Sequence, residues 1–211
     1  ATRHDGLRNY YDIAIIGYSG DGIESLLPAE GFNSIAQLAL LAPEKRNYTF
    51  VCNDSAIGEC SMTYSIRPWV EAKATGSTPM FEALSAVADL VEGWCSNPVN
   101  RHSFPPLVFN ISDGEPTDAS INEMITIAER VKHTSTNDGN TLLFNIHLGS
   151  NTSQKPITFP RAYNYTSECP HQNMLFRMSS LLPENLESVM EEQRANKGPY
   201  RCVAFNASFG E

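Results

Sequence analysis

Short apolar runs alternate with helical periodicities along most of this 211-residue chain. Asp-Ile-Ala-Ile-Ile-Gly-Tyr over 12–18, Leu-Val-Phe-Asn-Ile-Ser over 107–112 and Thr-Leu-Leu-Phe-Asn-Ile-His-Leu over 141–148 are nearly continuous apolar stretches. They predict strands buried on both faces of a sheet. From Pro79 onward, Met80, Ala83, Leu84, Val87, Leu90, Val91 and Trp94 recur at intervals of three and four. This predicts a helix with Thr78 as its N-cap and Pro79 at its first position. A second helix is expected from about Ala119 to His133, with Ile121, Met124, Ile125, Ala128 and Val131 on one face. Ser120 and Glu123 have capping-box spacing there, and Asp118 is an equally good cap. A third is expected over Pro183–Arg194, and 201–206 reads as a final strand.

Two regions depart from the alternation. In 31–70, the stretch 34–42 reads as a helix, and 48–52 with 60–66 as an antiparallel pair at a sheet edge. Residues 149–180 are rich in Asn, Ser, Thr and Pro without a clear period, the mark of a long loop or insertion. Alternating strands and helices imply an α/β fold, a three-layer sandwich with a mostly parallel sheet. The chain is read as a single domain over 1–211.

Composition narrows the function. With 41% hydrophobic and 18% charged residues the chain has the makings of a sizeable core. A net charge of −9 and no cluster of Lys and Arg argue against nucleic acid as a partner. No run of about eighteen apolar residues offers a membrane span, and the polar start lacks the apolar core of a signal peptide. Cys52, Cys60, Cys95, Cys169 and Cys202 are odd in number and contain no Cys-x-x-Cys pair. They read as reduced thiols of a cytoplasmic protein. Cys52 and Cys60 are near enough to bridge a hairpin, yet read as two separately packed thiols. Sequons begin at Asn47, Asn53, Asn110, Asn151, Asn164 and Asn206. Since Asn110 lies inside a strand pattern, they are taken as by-products of an Asn-, Ser- and Thr-rich sequence.

Candidate chemistry gathers at the ends of the predicted strands, where α/β sheets collect ligands. Ser19, Asp21, Ser112 and Asp113 fall there, and Thr78 lies at a helix N-terminus. Taken singly, Thr78 is a cap and Asp113-Gly114 a turn. Taken together, Gly-Ser-Thr-Pro-Met-Phe-Glu-Ala-Leu over 76–84 and Ile-Ser-Asp-Gly-Glu-Pro-Thr-Asp over 111–118 resemble a von Willebrand factor A domain. The wording is most similar to bacterial intracellular members, including those associated with tellurite resistance. The resemblance implies a Rossmann-like sandwich and a metal-ion-dependent adhesion site, with Thr78 giving a hydroxyl ligand and Asp113 a carboxylate. Both are oxygen donors of the kind Mg²⁺ takes. The family's first strand ends in Asp-x-Ser-x-Ser, and no such sequence occurs here. The expectation is therefore an incomplete site in a fold lacking its first strand, with trimming at both ends and a missing segment or second chain completing the sheet.

The resemblance implies a protein-interaction module that is not an enzyme, binding an acidic side chain of a protein partner through a divalent ion. Two other classes compete. Gly-Tyr-Ser-Gly-Asp over 17–21 partly resembles a nucleophile elbow, which would make Ser19 the nucleophile of a hydrolase with His147 as base. The other is a metal-free scaffold. Cys169-Pro170-His171 offers two metal-ligating side chains, too few for zinc. Glu184, Glu187, Glu191 and Glu192 read as a solvated helix face.

Overall fold

A computed structural model describes residues 2–3, 6–20, 22–41, 43–54, 58–71, 75–149, 155–163, 165–194 and 197–207. The protein is mixed α/β, with five α-helices among the described residues. It forms two compact units, Ala1–Gly76 and Ser77–Phe209. Asp21 and the sequons at Asn151 and Asn164 lie outside the described residues.

The first unit is built from local antiparallel pairs. It contains β1 (Thr2–Arg3), β2 (Gly6–Leu7), β3 (Asp12–Ile13), β4 (Ile16–Ser19), β5 (Gly22–Ser25), β6 (Asn33–Ser34), α1 (Ile35–Leu41), β7 (Arg46–Asp54) and β8 (Gly58–Ile66). The expected single buried strand over 12–18 is instead two short ones: β3 pairs with β6, and β4 with β5. Turn chemistry explains the difference. Gly20 adopts φ 64, a left-handed conformation open to glycine, so the run reverses into a hairpin. Its residues are half-buried rather than covered on both faces. The predicted helix at 34–42 is present as α1.

The predicted pair at 48–52 and 60–66 is present and longer, in register from Arg46↔Ile66 to Asp54↔Gly58. It is a two-stranded sheet of its own rather than the edge of a larger one. Such ribbons are marginal in water and need cross-strand support. Here Tyr48 faces Tyr64 in the register, and the hydroxyls of Thr49 and Thr63 are 2.9 Å apart. Cys60 adds a covalent tie: it is disulfide-bonded, and Cys52 lies directly opposite it along the backbone. The expectation of reduced thiols throughout is therefore corrected at Cys60. A directly opposed pair of strand residues brings the chains close enough for a bridge, which sequence spacing alone left open. Cys95, Cys169 and Cys202 are free.

The second unit holds α2 (Met80–Ser96), β9 (Leu107–Ser112), α3 (Ile121–His133), β10 (Ser135–Thr136), β11 (Gly139–Asn140), β12 (Leu142–Leu148), β13 (Ile157–Thr158), α4 (Pro170–Met178), α5 (Glu184–Arg194) and β14 (Val203–Ala207). Its main sheet has the order β13-β14-β12-β9, with β9, β12 and β14 parallel and β13 antiparallel. The core joins Met80, Leu84, Ala88 and Val91 of α2 to Met124, Ala128 and Val131 of α3. Leu143, Val203 and Phe205 of the sheet and Met174, Leu175 and Met178 of α4 complete it. A line of polar groups runs through this core. The Asn110 amide donates to Asn145 Oδ1 at 2.8 Å, and the Asn145 amide donates to the Ser179 hydroxyl at 2.9 Å. Asn110, 6% exposed, is thus a structural side chain inside its sequon.

Three expectations change here. β9 is an edge strand, and it alternates: Val108, Asn110 and Ser112 are buried, whereas Leu107, Phe109 and Ile111 are exposed on its other face. The long loop at 149–180 contains β13 and α4. The helix was hidden because His171 occupies a place in the apolar stripe with Met174, Leu175 and Met178. In α5, Glu187 and Glu191 are not merely solvated: Tyr200 N–H donates to Glu187 at 3.0 Å and Gly198 N–H to Glu191 at 3.0 Å. Alkylation of the unfolded, unreduced chain is expected to modify Cys95, Cys169 and Cys202, and Cys60 only after reduction, as read by peptide mass spectrometry.

Candidate functional site

The loop after β9 and the loop before α2 are laced together. Thr78 N–H donates to Thr117 Oγ1 at 2.9 Å, and Thr117 N–H returns a bond to the Thr78 carbonyl at 3.0 Å. Asp118 then caps α2, its two carboxylate oxygens accepting from Phe81 N–H at 3.1 Å and Glu82 N–H at 2.9 Å. An acidic group here also meets the positive end of the helix dipole. One capping assignment from sequence is thereby corrected, and one of two alternatives is decided. Pro79, whose ring carries no hydrogen-bonding group, holds the N-cap position of α2 in place of Thr78. The capping box of α3 is Ser120 with Glu123, which frees Asp118 for α2.

Relieved of capping, the Thr78 hydroxyl makes no hydrogen bond among the described residues, and neither does the Asp113 carboxylate. Asp113 is exposed. It sits on a turn drawn tight by Ser112, whose Oγ accepts from Gly114 N–H at 3.1 Å and contacts the Gly114 carbonyl at 3.1 Å. Gly114 fits so closely that a Cβ there would come within 3.0 Å of Thr78 Oγ1. The two residues singled out from sequence therefore lie at one place, on neighbouring loops, with uncommitted oxygen atoms.

These donors suit a hard cation, but they are few. Two oxygens fill a third of the octahedral shell that Mg²⁺ prefers. Among the described residues no three His, Cys, Asp or Glu side chains are grouped to hold a metal ion. Thr78 and Asp113 fit part of such a site, and the other positions fall to water or to groups from elsewhere.

Sequence reasoning missed the surroundings. Ser112 is the register partner of His147 on β12, which brings an imidazole beside Asp113. His147 in turn faces His171, the second residue of α4, with ring centroids 5.9 Å apart. Burial pushes both imidazoles below the usual histidine range; Asp113 partly offsets this at His147 and Glu115 at His171, while His147 adds to it at His171. His171 Nδ1 and Nε2 and His147 Nδ1 are buried without hydrogen-bond partners among the described residues. Leaving such an atom unsatisfied costs about 1–3 kcal/mol. Ser19, by contrast, ends β4 and is paired with Gly22 of the next strand. It therefore lacks the strand-to-helix turn of a nucleophile elbow. Cys169 is the N-cap residue of α4, free and without a side-chain capping bond, so the Cys169-Pro170-His171 run is a helix start rather than a polar loop.

No family model matches this sequence, and neither a curated protein nor a solved structure matches it.

Two outcomes test this geometry. Asp118→Ala removes both bonds to the start of α2 and is expected to cost about 1 kcal/mol in a urea unfolding curve. The histidines set a pH dependence. Because their folded pKa lies below the unfolded value, the unfolded chain takes up protons first. The stability they contribute is whole above the ordinary value of 6.5 and is lost as pH falls below it. Urea midpoints measured between neutral pH and pH 5 should fall, and His171→Gln should flatten that fall.

Proposed function

We propose that the second unit is a protein-interaction module of the von Willebrand factor A type, a Rossmann-like sandwich whose carboxyl-end loops bind an acidic side chain of a partner protein. The observation that carries this reading is the meeting of Thr78 and Asp113, two uncommitted oxygen donors separated by a helix and a strand in sequence, across the close approach at Gly114. Thr78 and Asp113 would hold a divalent ion such as Mg²⁺, which when bound supplies an electrophilic position for a carboxylate. The chain's own contribution is to fix those donors: Thr117 and Asp118 tie the loops, and Ser112 shapes the turn.

Support also comes from the sheet. β9, the strand leading to Asp113, is last in the sheet order among the described residues and exposes Leu107, Phe109 and Ile111. Another strand, from a further segment or a second chain, can pair there and bring ligands next to Asp113. A metal-free scaffold is the second reading, since Thr78 and Asp113 by themselves supply a third of an octahedral shell. The resemblance places the protein in the cytoplasm, whereas a disulfide such as that of Cys60 persists in oxidising surroundings. Among the described residues no helix is long and apolar enough to cross a membrane.

Thermal melting with and without MgCl₂ tests the proposal. Mg²⁺ is expected to raise the melting temperature of the parent chain and to leave Asp113→Ala and Thr78→Val unmoved. Equal responses in all three chains would sink the cation site. No response in any would leave the scaffold reading in its place.

A further inference from the structure

The histidine pair forms a second donor set that the oxygen-based reading does not use. His147 enters from β12 and His171 from α4, so packing of the helix on the sheet, not a loop, fixes their separation. His171 is 6% exposed, and among the described residues both its ring nitrogens lack partners, as does Nδ1 of His147. The rings meet at 63° with centroids 5.9 Å apart. Metal–nitrogen bonds of about 2.0–2.1 Å place the centres of two imidazoles on one ion roughly 5–6 Å apart, and this pair falls in that range.

Charge decides which kind of ligand fits. A neutral imidazole retains a lone pair for coordination, and each ring has a buried nitrogen without a hydrogen-bond partner among the described residues. The carboxylates of Asp113 and Glu115 act on His147 and His171 respectively, so the local field is that of two negative charges. The N-terminus of α4 opposes a cation, but with only about half an elementary charge. An anion would gain that half charge and face both carboxylates. A cation is therefore the favoured occupant, and nitrogen donors select a borderline ion over Mg²⁺.

We infer that His147 and His171 together ligate a borderline divalent metal ion, Zn²⁺ being the natural probe, with its remaining positions taken by water. The pair is not a closed cage, since no third His, Cys, Asp or Glu joins it among the described residues. Its donors differ from Thr78 and Asp113 in residue and in chemical class, and Asp113 acts on it only through its charge.

The test uses the whole chain after chelator treatment, labelled with ¹⁵N-histidine, titrated with ZnCl₂ and separately with MgCl₂. Zn²⁺ should shift the ring nitrogens of His147 and His171, assigned with His147→Gln and His171→Gln, and spare His102 and His133. Calorimetry should show that each substitution weakens Zn²⁺ binding by more than the roughly tenfold that an outer-shell change costs. Thr78→Val should keep the Zn²⁺ affinity while losing any Mg²⁺ response, which separates the two sites. If Zn²⁺ gives no saturable binding, or shifts other histidines instead, the inference is overturned. If a substituted chain fails to fold, the spectra of the parent chain still decide: two moved ring systems uphold the pair, and none refutes it.

Discussion

The second unit depends on the register between β9 and β12. Because side chains alternate across a sheet, a slip of one residue would turn Val108, Asn110 and Ser112 out of the core and bury Leu107, Phe109 and Ile111 instead. Apolar packing alone would resist that change weakly, since both sets contain apolar residues. The Asn110–Asn145 hydrogen bond supplies the discrimination, because its two amides are register partners and are satisfied only when aligned. Ser179 extends the bond to the end of α4. A buried polar network of this kind is costly when broken and so specifies a single arrangement. The same register sets Ser112 against His147, and with it the placing of Asp113 among its neighbours.

What the sequence disclosed followed from strong local signals. α2 and α3 announce themselves by unbroken three-and-four spacing, and the chain starts and ends them close to where propensity says. Thr78 and Asp113 were legible because each lies in a short run whose residues are unusual in company, with a helix or a strand at hand to orient them. Partners across the fold were not legible. Asp118 sits two residues before the N-cap of α3, so local reasoning offers it as a cap there beside Ser120, while its carboxylate reaches the helix that precedes it by a whole strand. His171 was lost for a related reason: a polar residue in an apolar stripe erases the period that would reveal the stripe. Strand burial failed likewise, since an apolar run such as 107–112 reads the same whether one face or both are covered.

The candidate site illustrates how little covalent structure is needed to gather donors from distant segments. Backbone amides do most of the holding: those of Thr78, Phe81 and Glu82 engage Thr117 and Asp118, leaving the side chains of Thr78 and Asp113 uncommitted. Structural and ligand-facing roles are thus divided between residues rather than shared by one. Such a division permits either donor to change without loosening the loops that carry it.

The place of β9 at the end of the sheet order has a further consequence for how this unit meets its surroundings. Its exposed apolar row lies on the strand that leads to Asp113, at the edge of the sheet order. Any strand that docked there would shield the row and reach the donors in one motion, so completing the sheet and recognising a ligand would become a single equilibrium. Stability would then vary with the concentration of the docking chain, as mass action requires. A melting temperature measured on this unit alone would describe only one end of that equilibrium.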